Sequence, residues 1–117
     1  MSVAIRAEVE EVRRLAFGSI GAAYMGVGTA FKHPIRIVTI KNATDVALSF
    51  SKDGIVDWID VEAGETLVYD LASNKTTEGG FEFAIGTRIY VIEHPLVLAA
   101  PTTGYVSLSV IYGDTGL

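Results

Sequence analysis

Residues 35–71 hold four short β-rich runs separated by turn-forming residues, and a chain with such a stretch at its centre is committed to an antiparallel β fold. The run 35–41 is β-branched, and Val46, Leu48 and Phe50 alternate with Ala47, Ser49 and Ser51, so each run has one side suited to a core. The turn-formers at 42–45 between them predict a hairpin. Asp53-Gly54 predicts a second, tighter one, because glycine takes the positive φ that such a turn demands. In the third run Ile55, Asp57 and Ile59 share one side and Val56, Trp58 and Asp60 the other. Neither side is purely apolar, which leaves one available to an interface. Residues 62–65 make the next turn, and in 66–71 Leu67, Tyr69 and Leu71 lie together opposite Thr66, Val68 and Asp70.

The flanks extend this pattern. Residues 1–12 read as an arm leading into a first strand, although Val9, Val12 and Leu15, spaced by three, also permit a short helix. The glycine-rich run 18–31 is expected to be an irregular edge strand anchored by Tyr24 and Phe31; it lacks the spacing of a phosphate loop. A polar surface loop at 72–80 follows the central stretch, then a strand with Phe81, Phe83 and Ile85 alternating, and another at 88–92. Leu96, Val97 and Leu98 form an apolar patch between Pro95 and Pro101, which needs either a neighbouring subunit or the open end of the sandwich to cover it. In the final strand, 105–112, Val106, Leu108, Val110 and Tyr112 face the core and the serine-bearing side faces solvent or a partner. Eight or nine strands and no firm helix predict an all-β single domain, an antiparallel β-sandwich of jelly-roll type over 13–113, with an arm at 1–12 and a tail at 114–117. A closed barrel is the alternative.

Composition narrows the chemistry. Half of the 117 residues are apolar, enough for one core without disulfides, and there is no cysteine to supply a thiolate or a metal ligand. A formal net charge of -5 with scattered lysines and arginines disfavours nucleic acid. No uninterrupted apolar run is long enough for a membrane-spanning helix, and the acidic start lacks a secretory core, so a cytoplasmically made, non-membrane protein is expected. His33 and His94 each precede a proline and read as loop or rim residues rather than as catalytic ones. The carboxylates between Asp53 and Asp70 lack the spacing of a calcium loop, and no histidine pair suits zinc. No catalytic residue, cofactor site or metal site is therefore assigned. Trp58 remains a candidate for stacking on a glycan, and Asn42-Ala43-Thr44, although it matches a glycosylation acceptor, reads more simply as a turn.

Several stretches together resemble the small structural proteins of tailed bacteriophage particles. They are Arg14-Leu15-Ala16-Phe17-Gly18-Ser19-Ile20, Pro34-Ile35-Arg36-Ile37 with Lys41-Asn42-Ala43-Thr44-Asp45, Ser49-Phe50-Ser51-Lys52-Asp53-Gly54, Ile85-Gly86-Thr87, and Pro101-Thr102-Thr103-Gly104 before the last strand. The resemblance runs from about residue 13 to 113, through turn and strand patterns rather than catalytic signatures, and residues 93–100 depart from it. It implies a non-enzymatic virion component made in the host cytoplasm, at the head-to-tail neck or in the tail, with capsid decoration as the alternative and a glycan-binding module for host attachment as a second. The implied partners are further copies of the chain and other virion proteins, whether portal, neck, tail or major capsid protein. Val9, Val12, Leu15, Leu96, Val97 and Leu98 are the expected protein contacts.

Overall fold

The structure, a computed structural model, describes residues 6–71 and 83–114. In the first sheet β1 (Arg6–Val9) and β2 (Arg13–Ala16) run end to end along β9 (Tyr105–Asp114). On its other side β9 pairs with β4 (Ile37–Asn42), and β4 with β7 (Thr66–Asp70). The second sheet has the order β3 (Met25–Gly26), β8 (Tyr90–Glu93), β5 (Leu48–Ser51), β6 (Ile59–Val61). All pairings are antiparallel. With β1 and β2 sharing one place, each sheet has four places, and the chain changes sheet at every step except β5 to β6. That connectivity is the jelly roll, and the two sheets stay separate rather than closing into a barrel.

Alternation explains which residues fill the space between the sheets. Val38 and Ile40 from β4, Leu48 and Phe50 from β5, Val91 from β8, and Val106, Leu108 and Val110 from β9 are all buried in one cluster. The final strand thus follows its sequence pattern closely. Phe31 is buried as expected, and Tyr24 is half-buried with its hydroxyl donated to Asp57 Oδ1 at 2.6 Å.

The joint at 42–45 corrects the sequence reading. It is not a hairpin, because β4 and β5 lie in different sheets. Asn42 makes the crossing possible. Its buried Nδ2 donates to the carbonyls of Val46 and Val61, both at 2.9 Å, while Oδ1 accepts from the Thr44 N–H at 3.0 Å and the Thr44 hydroxyl at 2.6 Å. Its main chain donates to Glu65 O at 2.9 Å and accepts from Gly64 N–H at 2.8 Å. The crossings from β4 to β5 and from β6 to β7 therefore meet on one side chain, which supplies the partners that buried backbone groups require.

The other differences are local. Gly54 has φ +74, yet the β5–β6 connection is a wide loop rather than a two-residue turn. The Asp53 carboxylate accepts the N–H groups of Ile55 at 2.9 Å and Val56 at 3.2 Å, so the chain curls there and β6 starts only at Ile59. Between residues 18 and 31 only Met25–Gly26 is strand, and of the strand expected from Phe81 onward, whose first two residues lie outside the described ones, Phe83 forms a bridge to Ile35. The polar loop at 72–80, with residues 1–5 and 115–117, lies outside the described residues.

On β5 Ser49 and Ser51 point away from the core and are nevertheless buried. Ser51 caps its loop, accepting from Gly54 N–H at 3.0 Å and donating to Asp53 Oδ1 at 2.9 Å. Ser49 Oγ is buried without a hydrogen-bond partner among the described residues. Replacing Asn42 with alanine is expected to cost about 2 kcal/mol, since it takes a bond from the buried Val61 carbonyl and leaves the Thr44 N–H without its acceptor, while the Val46 carbonyl keeps the Thr44 hydroxyl; urea unfolding should show a lower midpoint at unchanged slope. Ser49→Ala is expected to raise the midpoint, by about 1 kcal/mol, because it removes a hydroxyl that bonds nothing in the chain.

Candidate functional site

A strand alternates, so residues 10 and 13 of one edge should face opposite ways. They do not, because Val9 pairs with Ile111 and Arg13 with Leu108, which sets residues 10–12 against only two residues of β9. This bulge turns both Glu10 and Arg13 to the inner side. Arg13 Nη2 lies 2.6 Å from Glu10 Oε1, and the Glu10 side chain is 4% exposed. Glu10 also accepts from the Lys32 N–H at 3.0 Å and from His33 Nδ1 at 2.7 Å. Arg13 donates to the carbonyls of Thr29 at 2.7 Å and Ala30 at 3.1 Å and lies over the Phe31 ring, while His33 stacks on Tyr112 with ring centres 3.7 Å apart. Burial opposes ionisation of Glu10, but the bonds from Arg13, His33 and Lys32 outweigh it and hold the carboxyl below its usual range.

The cluster borders an open pocket of about 280 Å³. Every polar head in it is spent on binding the N-terminal edge to the 29–33 loop, so it acts as a latch between segments. Residues 6–9 and 13–16 both pair with β9 of their own chain.

The second feature is the loop between β8 and β9. The His94 ring is buried; Nδ1 accepts the Leu96 N–H at 3.1 Å, which places the ring proton on Nε2, and Nε2 donates to Asp60 Oδ2 at 3.1 Å. The Leu98 N–H closes a turn onto His94 O at 2.9 Å. Farther along, Asp45 accepts both the N–H, at 2.8 Å, and the hydroxyl of Thr102, and these bonds hold its carboxyl below its usual range. Gly104, at φ +90, passes so close to Ala43 that a Cβ would meet its carbonyl oxygen at 2.0 Å. Only glycine fits. Between these two anchors Leu96 is 87% exposed, Val97 49% and Leu98 72%, and Leu98 holds a φ of 53, unfavourable for a leucine.

The expected contact residues therefore divide. Leu96, Val97 and Leu98 project together on this knuckle, and Val9, 70% exposed, and Val12 stand on the outer face of the first sheet. Leu15 packs against the core instead. Trp58 is half-buried against Tyr69 and Phe83, at ring distances of 5.1 and 5.4 Å, and borders an open pocket beside Asp57, Asp60 and Pro95. His33 and His94 each bind a carboxylate far away in the chain, contacts that no local sequence signal announces. Among the described residues no group of three histidines or acids is placed to hold a metal ion, and no helix is long and apolar enough to cross a membrane. Comparison with protein-family models, curated proteins and solved structures returns no match.

Glu10 ionises more readily in the folded chain than in the unfolded one. Its contribution is therefore complete above its ordinary value of 4.5 and is lost as pH falls through the lower folded value. Glu10→Ala should cost about 3 kcal/mol at neutral pH by stranding Arg13. It should also flatten the loss of stability on acidification that the wild type shows in urea melts below pH 4.5.

Proposed function

We propose that this chain is a non-enzymatic structural component of a tailed-phage particle, placed at the head-to-tail neck or in the tail, and that residues 96–98 are its principal contact. The observation that carries this reading is the knuckle itself. Three adjacent apolar side chains are held out to solvent by an anchored loop, and one of them is held in a left-handed conformation. An apolar tip fixed in advance loses little conformational freedom on docking, which suits a contact repeated around a ring. The resemblance of the turn and strand patterns to phage structural proteins supplies the setting. The ionisable groups of the Glu10 and His94 contacts support a structural reading as well, since they bind one segment of the chain to another.

Quantitative mass spectrometry of purified particles should count this chain in tens of copies or fewer, whereas hundreds of copies would assign it to capsid decoration. Leu98→Gly should raise stability, by up to about 1 kcal/mol, because glycine accepts the positive φ. With Leu96→Ser added, the folded chain should no longer enter particles. Undiminished incorporation of that double variant would overturn the contact assignment.

A further inference from the structure

The outward face of the second sheet carries a groove that shares only Leu98 with the knuckle contact. By register Ser49 stands between Ile92 of β8 and Asp60 of β6. On the Ile92 side lies an open pocket of about 180 Å³, and on the Asp60 side one of about 270 Å³. Asp57 and Pro95 border both, so the two pockets adjoin.

Its charge is one-sided. Asp57, Asp60 and Glu93 line it, and no lysine or arginine does. Asp57 gives one oxygen to the Tyr24 hydroxyl at 2.6 Å, and Asp60 gives one to His94 at 3.1 Å. The second oxygen of each, and both oxygens of Glu93, take no partner among the described residues. The bond to Asp57 pushes the Tyr24 phenol up to about 12, so the hydroxyl stays a donor. Ser49 of β5, between Ile92 and Asp60 by register and fully buried, carries a hydroxyl without a hydrogen-bond partner among the described residues. Beside the acids, Ile92, Pro95 and Leu98 provide apolar walls.

We propose that this groove binds an extended, arginine- or lysine-bearing segment of a partner protein, with the cationic heads among Asp57, Asp60 and Glu93 and an intervening apolar side chain against Pro95 and Leu98. Carboxylates spread along a groove, rather than converged on one point, suit successive side chains better than a single metal ion, and no metal-holding cluster occurs among the described residues. Charge-assisted bonds from guanidinium or ammonium groups to half-satisfied carboxylates are among the stronger contacts a surface can offer. A chain of net charge -5 would also draw a basic partner in. A groove of this kind takes such a segment whether or not the chain stands in a phage particle.

Trp58, the single tryptophan of the chain, borders the groove and reports its occupancy. The full chain is titrated with a short peptide containing Arg-Leu-Arg and, in parallel, with its Gln-Leu-Gln counterpart, following Trp58 emission. The expected result is a saturable shift with the arginine peptide alone, weakened by salt and weakened about tenfold by Asp57→Asn with Glu93→Gln. Glu62→Gln, on the turn after β6, should change affinity by less than about twofold. Glu93→Gln alone removes a carboxylate without a partner among the described residues, so it tests the site even if the Asp57 change disturbs Tyr24. The proposal is overturned by the absence of a saturable shift, by equal binding of both peptides, or by equal loss in the Glu62 variant. Self-association that disappears with the Asp57 and Glu93 changes would assign the groove to a second copy of the chain and overturn it equally.

Discussion

The fold depends on one buried amide. A jelly roll must carry its chain from one sheet to the other again and again, and each crossing turns backbone away from ladder partners. At Asn42 two crossings are satisfied together: the side chain bonds the strands' carbonyls at Val46 and Val61, and the main chain bonds residues 64 and 65 of the other crossing. Without that side chain β4 and β7 would still pair, but the Val61 carbonyl would lose its bond across the gap and the Val46 carbonyl would keep only the Thr44 hydroxyl.

The same end of the sandwich carries the knuckle, and the two features are mechanically joined. Ala43, next to Asn42, donates to Tyr105 O at 2.9 Å and packs against Gly104, while Asp45 takes Thr102. His94 fixes the opposite side of the loop. A rigid base of this kind lets apolar side chains stand in water without collapsing onto the sheet, and it gives physical content to the proposal of a repeated assembly contact. At the far end the Glu10 latch performs a corresponding task for the N-terminal edge, closing β1 and β2 onto the 29–33 loop, which Phe31 also ties to residues 86 and 87.

Strand identity was legible in the sequence where alternation is strong, as in Val106, Leu108 and Val110, and the sandwich class followed from it. Strand partnership was not. Turn-forming residues at 42–45 look the same whether the chain returns to its neighbour or crosses to the opposite sheet, because Asn and Thr satisfy backbone groups in both cases. The irregular edge strand expected over 18–31 shrinks to the two-residue β3, and the bulge between β1 and β2 carries no pattern of its own. The apolar patch at Leu96, Val97 and Leu98 was legible as an anomaly of composition. Its anchoring was not, since His94 finds Asp60 across 34 positions of sequence. The groove was legible only as a run of acids; its shape arises when Pro95 and Asp57 meet over the sheet.

Rigidity at the Asn42 corner underlies both the fold and the proposed contact, and native-state hydrogen exchange measures it directly. The amides of Asn42, Thr44 and Gly64, which bond Glu65 O, Asn42 Oδ1 and Asn42 O, are predicted to exchange only through global unfolding, with the same free energy as Val38 and Ile40 in β4. Exchange of those three through a local opening, while Val38 and Ile40 stay protected, would contradict the account.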